Sequence, residues 1–120
     1  MSNIAILFDN KTVDGDSAEF TNNRPKTMGF ADTEFSSYIE IYGDNGGGTI
    51  ELHKATALDP TDFKKDKVGS AAINDQLPLS GIEMIIVSVN YKSKERFKLV
   101  LTGATSPALF ANGINMSLAT

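Results

Sequence analysis

The sequence predicts an all-β protein: an antiparallel β-sandwich or small barrel of about seven or eight short strands. Short runs of β-branched and apolar residues recur along the chain, as in Ile4–Phe8, Tyr38–Tyr42, Ile82–Tyr91 and Arg96–Gly103. Clusters of Gly, Asp, Asn and Pro separate them, which is the punctuation of turns. No long stretch carries apolar residues at the helical period. A chain of 120 residues suits one domain, residues 1–120. Folding at this size buries roughly two-thirds of the unfolded chain's surface, enough for a self-sufficient core.

Ile4–Phe8 fits a first strand, ended by Asp9 and Asn10. The segment 1–10 reads either as an N-terminal arm or as an ordinary edge strand. Ser17–Thr21 is a short second strand carrying Phe20, broken by Asn22–Pro25. In Tyr38–Tyr42 the period of two puts Ile39 and Ile41 on one face, with Tyr38, Glu40 and Tyr42 on the other. Gly43–Gly48 follows, then Thr49–Lys54, with Ile50 and Leu52 facing one way and Thr49, Glu51 and His53 the other. The two runs read as a hairpin with a Gly-rich tip.

Ala55–Leu79 is the least regular part. Asp59-Pro60 has the form of an N-cap followed by a first-turn proline, which predicts one helical turn over 60–66 and no more. Ile82–Tyr91 and Arg96–Gly103 read as a second hairpin, at the centre of the core. Its first strand changes phase, because Glu83 is odd-numbered while Ser88 and Asn90 are even-numbered. Met84–Val87 is therefore expected to be buried on both faces or broken by a bulge. Phe97, Leu99 and Leu101 share one face of the second strand. Leu109–Leu118 is the last strand, with Asn112-Gly113 as a turn or bulge.

Composition narrows the chemistry. With no cysteine, disulfides and thiolate metal sites are excluded. No run of about 18 apolar residues predicts a membrane span, and the start lacks the features of a secretion signal. A net charge of −4 argues against a nucleic-acid partner. Residues 1–60 carry a net −6 and residues 61–120 a net +2, which fits either copies packing acidic face to basic face or an ordinary surface distribution.

The only histidine, His53, has no ligand spacing around it and lies in the outward phase of its strand, so it reads as solvated. Asp14–Asp16 and Asp44–Gly46 read as turns rather than calcium loops, since neither has the twelve-residue pattern. Gly46–Gly48 leads into a strand without the Lys-Ser/Thr of a P-loop. No catalytic, metal or cofactor site is expected, and the protein is not expected to be an enzyme. Lys92, Lys94, Arg96 and Lys98 stand at every second position, as a basic stripe for a partner or as a protected edge. Tyr38 and Tyr42 could serve as a stacking platform or cover a second core layer.

The order of features over residues 35–118 resembles small all-β virion proteins of tailed bacteriophages. The resemblance is carried by Tyr38–Leu52 with its Gly-rich turn, the loop with Leu58 and Phe63, Arg96–Pro107, and Ala111–Ser117. It implies a capsid decoration or cement protein, assembled in the host cytoplasm into the virion, and a homo-oligomer touching the major capsid protein. It involves no nucleic acid, membrane or cofactor. The expected interface residues are Ile4, Ile6 and Phe8 of the first strand, and Lys92, Lys94 and Arg96 at a charged tip. The alternatives are a carbohydrate- or ligand-binding β-sandwich module and a tail-associated structural protein.

Overall fold

The computed structural model describes residues 4–21, 35–91 and 95–118. In chain order the strands are β1 (Ile4–Lys11), β2 (Gly15–Asp16), β3 (Phe20–Thr21), β4 (Phe35–Asp44), β5 (Thr49–Ala55) and β6 (Lys64–Lys65). A helix, α1 (Lys67–Asn74), comes next. Then follow β7 (Ser80–Tyr91), β8 (Arg96–Thr102), β9 (Ala108–Ile114) and β10 (Ser117–Leu118). All pairings are antiparallel. One sheet has the order β1-β9-β4-β7; the other has β10-β3-β8-β5-β6, with β2 also on β8. The expected all-β sandwich is the observed fold, and its extra strands are two-residue pieces.

Period-two alternation builds the core. Ile39 and Ile41 of β4, Leu109 and Ala111 of β9, and Ile85, Val87 and Val89 of β7 are buried on the inner side of the first sheet. Ile50 and Leu52 of β5, and Phe97, Leu99 and Leu101 of β8, are buried on the inner side of the second. Phe20 stacks on Phe97 with ring centroids 5.5 Å apart. Each such side chain contributes about 1.5–3 kcal/mol by leaving water, so this layer is the main source of stability.

Neither expected hairpin forms. The strand β7 pairs with β4, whereas β8 pairs with β5, β3 and β2. The link after Tyr91 therefore carries the chain from one sheet to the other. The Gly-rich connection does the same, because β4 pairs with β7 and β9 while β5 pairs with β8 and β6. Consecutive strands usually pair, but two strands each with one apolar face can equally face each other across a core.

The corner at Asn45 shows how the switch is held. Its side chain is buried, donates to Gly48 O at 2.7 Å and accepts from Leu79 N at 2.9 Å. Gly46 has φ +62° and packs so tightly beneath the loop 103–107 that a Cβ would lie 2.7 Å from Thr105 O.

The helix also departs from expectation, since it spans eight residues and starts at Lys67. Asp66 is the N-cap and accepts from Gly69 N. Asp59-Pro60 forms a turn instead, with Asp62 N donating to Asp59 O. Ser70 and Asn74 are four apart, so both face β5. Ser70 Oγ accepts from Leu52 N at 2.9 Å and donates to Leu52 O at 3.3 Å. Asn74 Oδ1 accepts from Ile50 N at 3.2 Å, while its Nδ2 donates to Ile50 O at 2.8 Å. Two helix side chains thus stand where another strand's backbone would be.

Two smaller corrections concern β7 and the C-terminal strand. The phase change in β7 comes from a bulge just before Met84: Gly81–Glu83 lie opposite Gly43 alone. Ser80 N and Oγ donate to the Glu83 carboxylate, and these bonds hold it below its ordinary pKa. Beyond the bulge β7 alternates regularly, so Met84 and Ile86 face outward and are not core. The expected strand Leu109–Leu118 is broken at Asn115, whose φ is +63°. Asn112-Gly113 stays within β9, and Gly113 leaves the space that the buried Met116 side chain fills.

Replacing Asn74 by Ala should cost about 1–3 kcal/mol, because the polar groups of Ile50 lose their partners beside the core. Urea unfolding measures it. A loss near zero would show that water replaces the amide freely.

Candidate interaction face

The outer sides of the two sheets differ in chemistry. On the second sheet, outward residues form a polar network. Lys98 Nζ lies 2.7 Å from Asp16 Oδ2 and 4.7 Å from the centre of the Phe63 ring. Thr49 and Thr102 share a hydrogen bond at 2.9 Å. Glu51 meets His53 at 3.1 Å and Lys65 at 3.2 Å. Hydrogen bonds from His53 and then Lys65 hold the Glu51 carboxyl below its ordinary value. A wet outer face of this kind is usual for an antiparallel sheet.

The first sheet is different. Register places Ile4 opposite Ile114 and Ile114 opposite Tyr38. In the next row stand Ile6, Asn112, Glu40 and Ile86. In a third, Tyr42 lies between Phe110 and Met84. The Tyr42 and Phe110 rings stack at 5.2 Å and 6°. Ile4 is 62% exposed, Ile6 56%, Ile86 57%, Met84 49% and Tyr38 46%. With about 200 Å² for a fully exposed large side chain, these five show roughly 500 Å², the scale at which a patch is often functional. Glu40 is the one charged side chain in these rows.

The expected interface residues scatter over the molecule. Ile4 and Ile6 lie on the apolar face. Phe8 does not: it is 2% exposed and part of the core. A register shift between Ile6 and Phe8 turns Leu7 and Phe8 both inward, so an interface role for Phe8 is corrected to a packing one. Arg96 lies in the opposite sheet, where its Nη1 is 3.2 Å from Glu19 Oε1. Lys92 and Lys94 lie outside the described residues, as does most of the expected tip.

Sequence reasoning missed Met84, Ile86, Phe110 and Ile114. The signal for β7 was present: Met84 and Ile86 share phase with Ser88, a polar residue.

Other candidate sites resolve into structural roles. Both oxygens of Asp14 accept backbone bonds, from Gly103 N and Ala104 N at 2.9 Å each. Asp44 accepts from Gly46 N at 2.8 Å. Among the described residues no three His, Cys, Asp or Glu side chains converge on a point that could hold a metal. A depression of about 450 Å³ is ringed by four lysines and three aspartates, among which Lys64 and Asp62 stand 3.6 Å apart. Among the described residues no helix is long and apolar enough to cross a membrane.

The fold and this face define a two-sheet β-sandwich with one wet and one apolar outer surface. No family model matches the chain. No curated protein matches it in sequence. Similar solved structures include a family 35 carbohydrate-binding module from Cellvibrio japonicus Abf62, with a TM-score of 0.50 at 9% identity, covering 100% of this chain and 99% of that one. The SPBc2 prophage-derived protein YomS has a TM-score of 0.46 at 12% identity, covering 98% and 94%. A virus-like particle protein of Macrobrachium rosenbergii extra small virus has a TM-score of 0.39 at 9% identity, covering 100% and 79%. At these identities the likeness concerns the fold alone.

Since the Glu51 pKa is lower in the folded chain, its contribution to stability is full above the ordinary value of 4.5 and is lost as pH falls through the lowered value. Glu51→Gln should flatten that part of the acid limb in urea midpoints measured against pH. The effect is modest, because the side chain is 29% exposed and solvent screens it. An unchanged acid limb would contradict it.

Proposed function

We propose that this chain is a non-enzymatic virion structural protein, in the role of a capsid decoration or cement protein, and that it docks through the outer face of its first sheet. The observation that carries this reading is the apolar face formed by Ile4, Ile6, Tyr38, Met84 and Ile86. Leaving such side chains in water forgoes their transfer free energy, so a face of this size is best explained by a partner that covers it. The rings and aliphatic side chains suit the dry centre of a protein contact, and few charges need desolvation there. Many-copy assembly on a shell multiplies such modest contacts through avidity. The sequence resemblance to phage virion proteins supports the same role, with the major capsid protein as partner.

Tyr38 supports a second reading, a carbohydrate-binding module. It is a half-exposed ring, with Glu40 and Asn112 in the adjacent row to bond hydroxyls. Few other polar groups on the face could orient a sugar.

Co-sedimentation with shells assembled from the proposed partner, a phage major capsid protein, tests the proposal. Ile6→Lys and Tyr38→Glu should each weaken binding at least about 30-fold, the scale of a hot-spot residue, with the circular dichroism spectrum unchanged. Wild-type protein that stays monomeric and ignores shells would overturn it. A positive glycan array lost in Tyr38→Ala would favour the second reading.

A further inference from the structure

Among the described residues, three of the four sheet edges are protected and one, that of β7, is left unpaired. At one end of the second sheet, β6 presents Lys64 and Lys65, and beyond it Ser70 and Asn74 of α1 occupy the backbone groups of Leu52 and Ile50. At the other end, β10 is two residues long. In the first sheet β1 carries Asp9 and Lys11 and shows two register shifts against β9. Lysines, bulges, short strands and helical cover are the devices that keep an edge from pairing.

From Met84 to Asn90 the edge of β7 has no lysine, bulge or shortened strand, and the side chains of α1, which also packs against β7, bond to β5 and not to this edge. This segment has no charge, proline or glycine, and it stays in regular register with β4 throughout. Among the described residues no strand pairs with its outer side. Its seven residues span about 23 Å of extended backbone. The bulge and Glu83 lie just before it, and the Glu83 carboxylate is occupied by Ser80.

We propose that this edge pairs with β7 of a second copy, antiparallel about a two-fold axis. Self-pairing brings no like charges opposite each other, because the segment has none. It also closes: one edge meets itself, so the product is a dimer. A head-to-tail contact of β7 with β1 would run on into filaments, and the bulges and charges of β1 oppose it. Pairing joins two four-stranded sheets into one of eight strands and sets their apolar outer faces side by side. The pairing does not depend on what that larger face docks against.

The contact is small, so the dimer is read over a concentration series by sedimentation. A species of twice 12.9 kDa is expected. Ser88→Lys, at an exposed position of the edge, should weaken it about tenfold or more, whereas Ile6→Lys on the far strand should leave it intact. Hydrogen exchange of wild-type amides within Ile85–Val89 should slow as the dimer fills, since edge pairing protects backbone groups that a face-to-face contact would leave open. A wild-type chain that stays monomeric, or a dimer whose β7 amides exchange at the monomer rate, overturns the inference. So does a dimer that Ile6→Lys breaks and Ser88→Lys does not. In each of these cases binding to shells, measured separately with Ile6→Lys and Tyr38→Glu, still tests the docking face on its own.

Discussion

The layer of side chains between the two sheets, with Ile39, Ile41, Ile85 and Val87 on one side and Phe97, Leu99, Leu101, Ile50 and Leu52 on the other, governs the rest of the structure. A sheet can satisfy its backbone internally, but it cannot bury an apolar face without a second layer. That requirement sends the chain across the core at Asn45 and again between β7 and β8. A hairpin at either place would have left both strands in one sheet. The buried hydrogen bonds of Asn45 with Gly48 and Leu79 then supply partners for backbone groups that the corner removes from water.

Once two layers are formed, their edges become the next problem. The helix α1 is best understood as part of that solution. Its Ser70 and Asn74 side chains present donors and acceptors to β5 at positions a neighbouring strand would occupy. Gly69 lets the helix come close, since a Cβ there would lie 2.6 Å from Leu52 Cδ2. The lysines of β6 and the bulges of β1 act on other edges by charge and by shape. The contrast with β7 is therefore chemical as well as geometric.

The outer faces express a third constraint. One is covered by ion pairs and hydroxyl contacts around Glu51, Lys98 and Thr49. The other keeps isoleucines and aromatic rings in the open. Both arise from alternation, but only on the first sheet are most of the outward residues apolar. The proposed assembly role would account for that asymmetry through the same physics that formed the core: apolar area leaves water when a partner arrives.

Local pattern alone determined the fold class, the strands around Ile39 and Phe97, and the division of Ile50 and Leu52 from Glu51 and His53, because strand periodicity is written residue by residue. The resemblance to virion proteins, not local pattern, placed Ile4 and Ile6 among candidate contacts. Tertiary structure decided what local pattern could not. Strand partners depend on which face meets which across the core, and the two apparent hairpins have the same alternation whether they pair or cross. The helix after Asp66 draws on contacts with β5, which lie outside its own window. Phe8 turned inward because of a register shift against β9, about a hundred residues away in sequence. Met84 and Ile86 read as core by composition; their shared phase with Ser88 carried the opposite signal, and the bulge at Gly81–Glu83 and the pairing with β4 decide that they face outward.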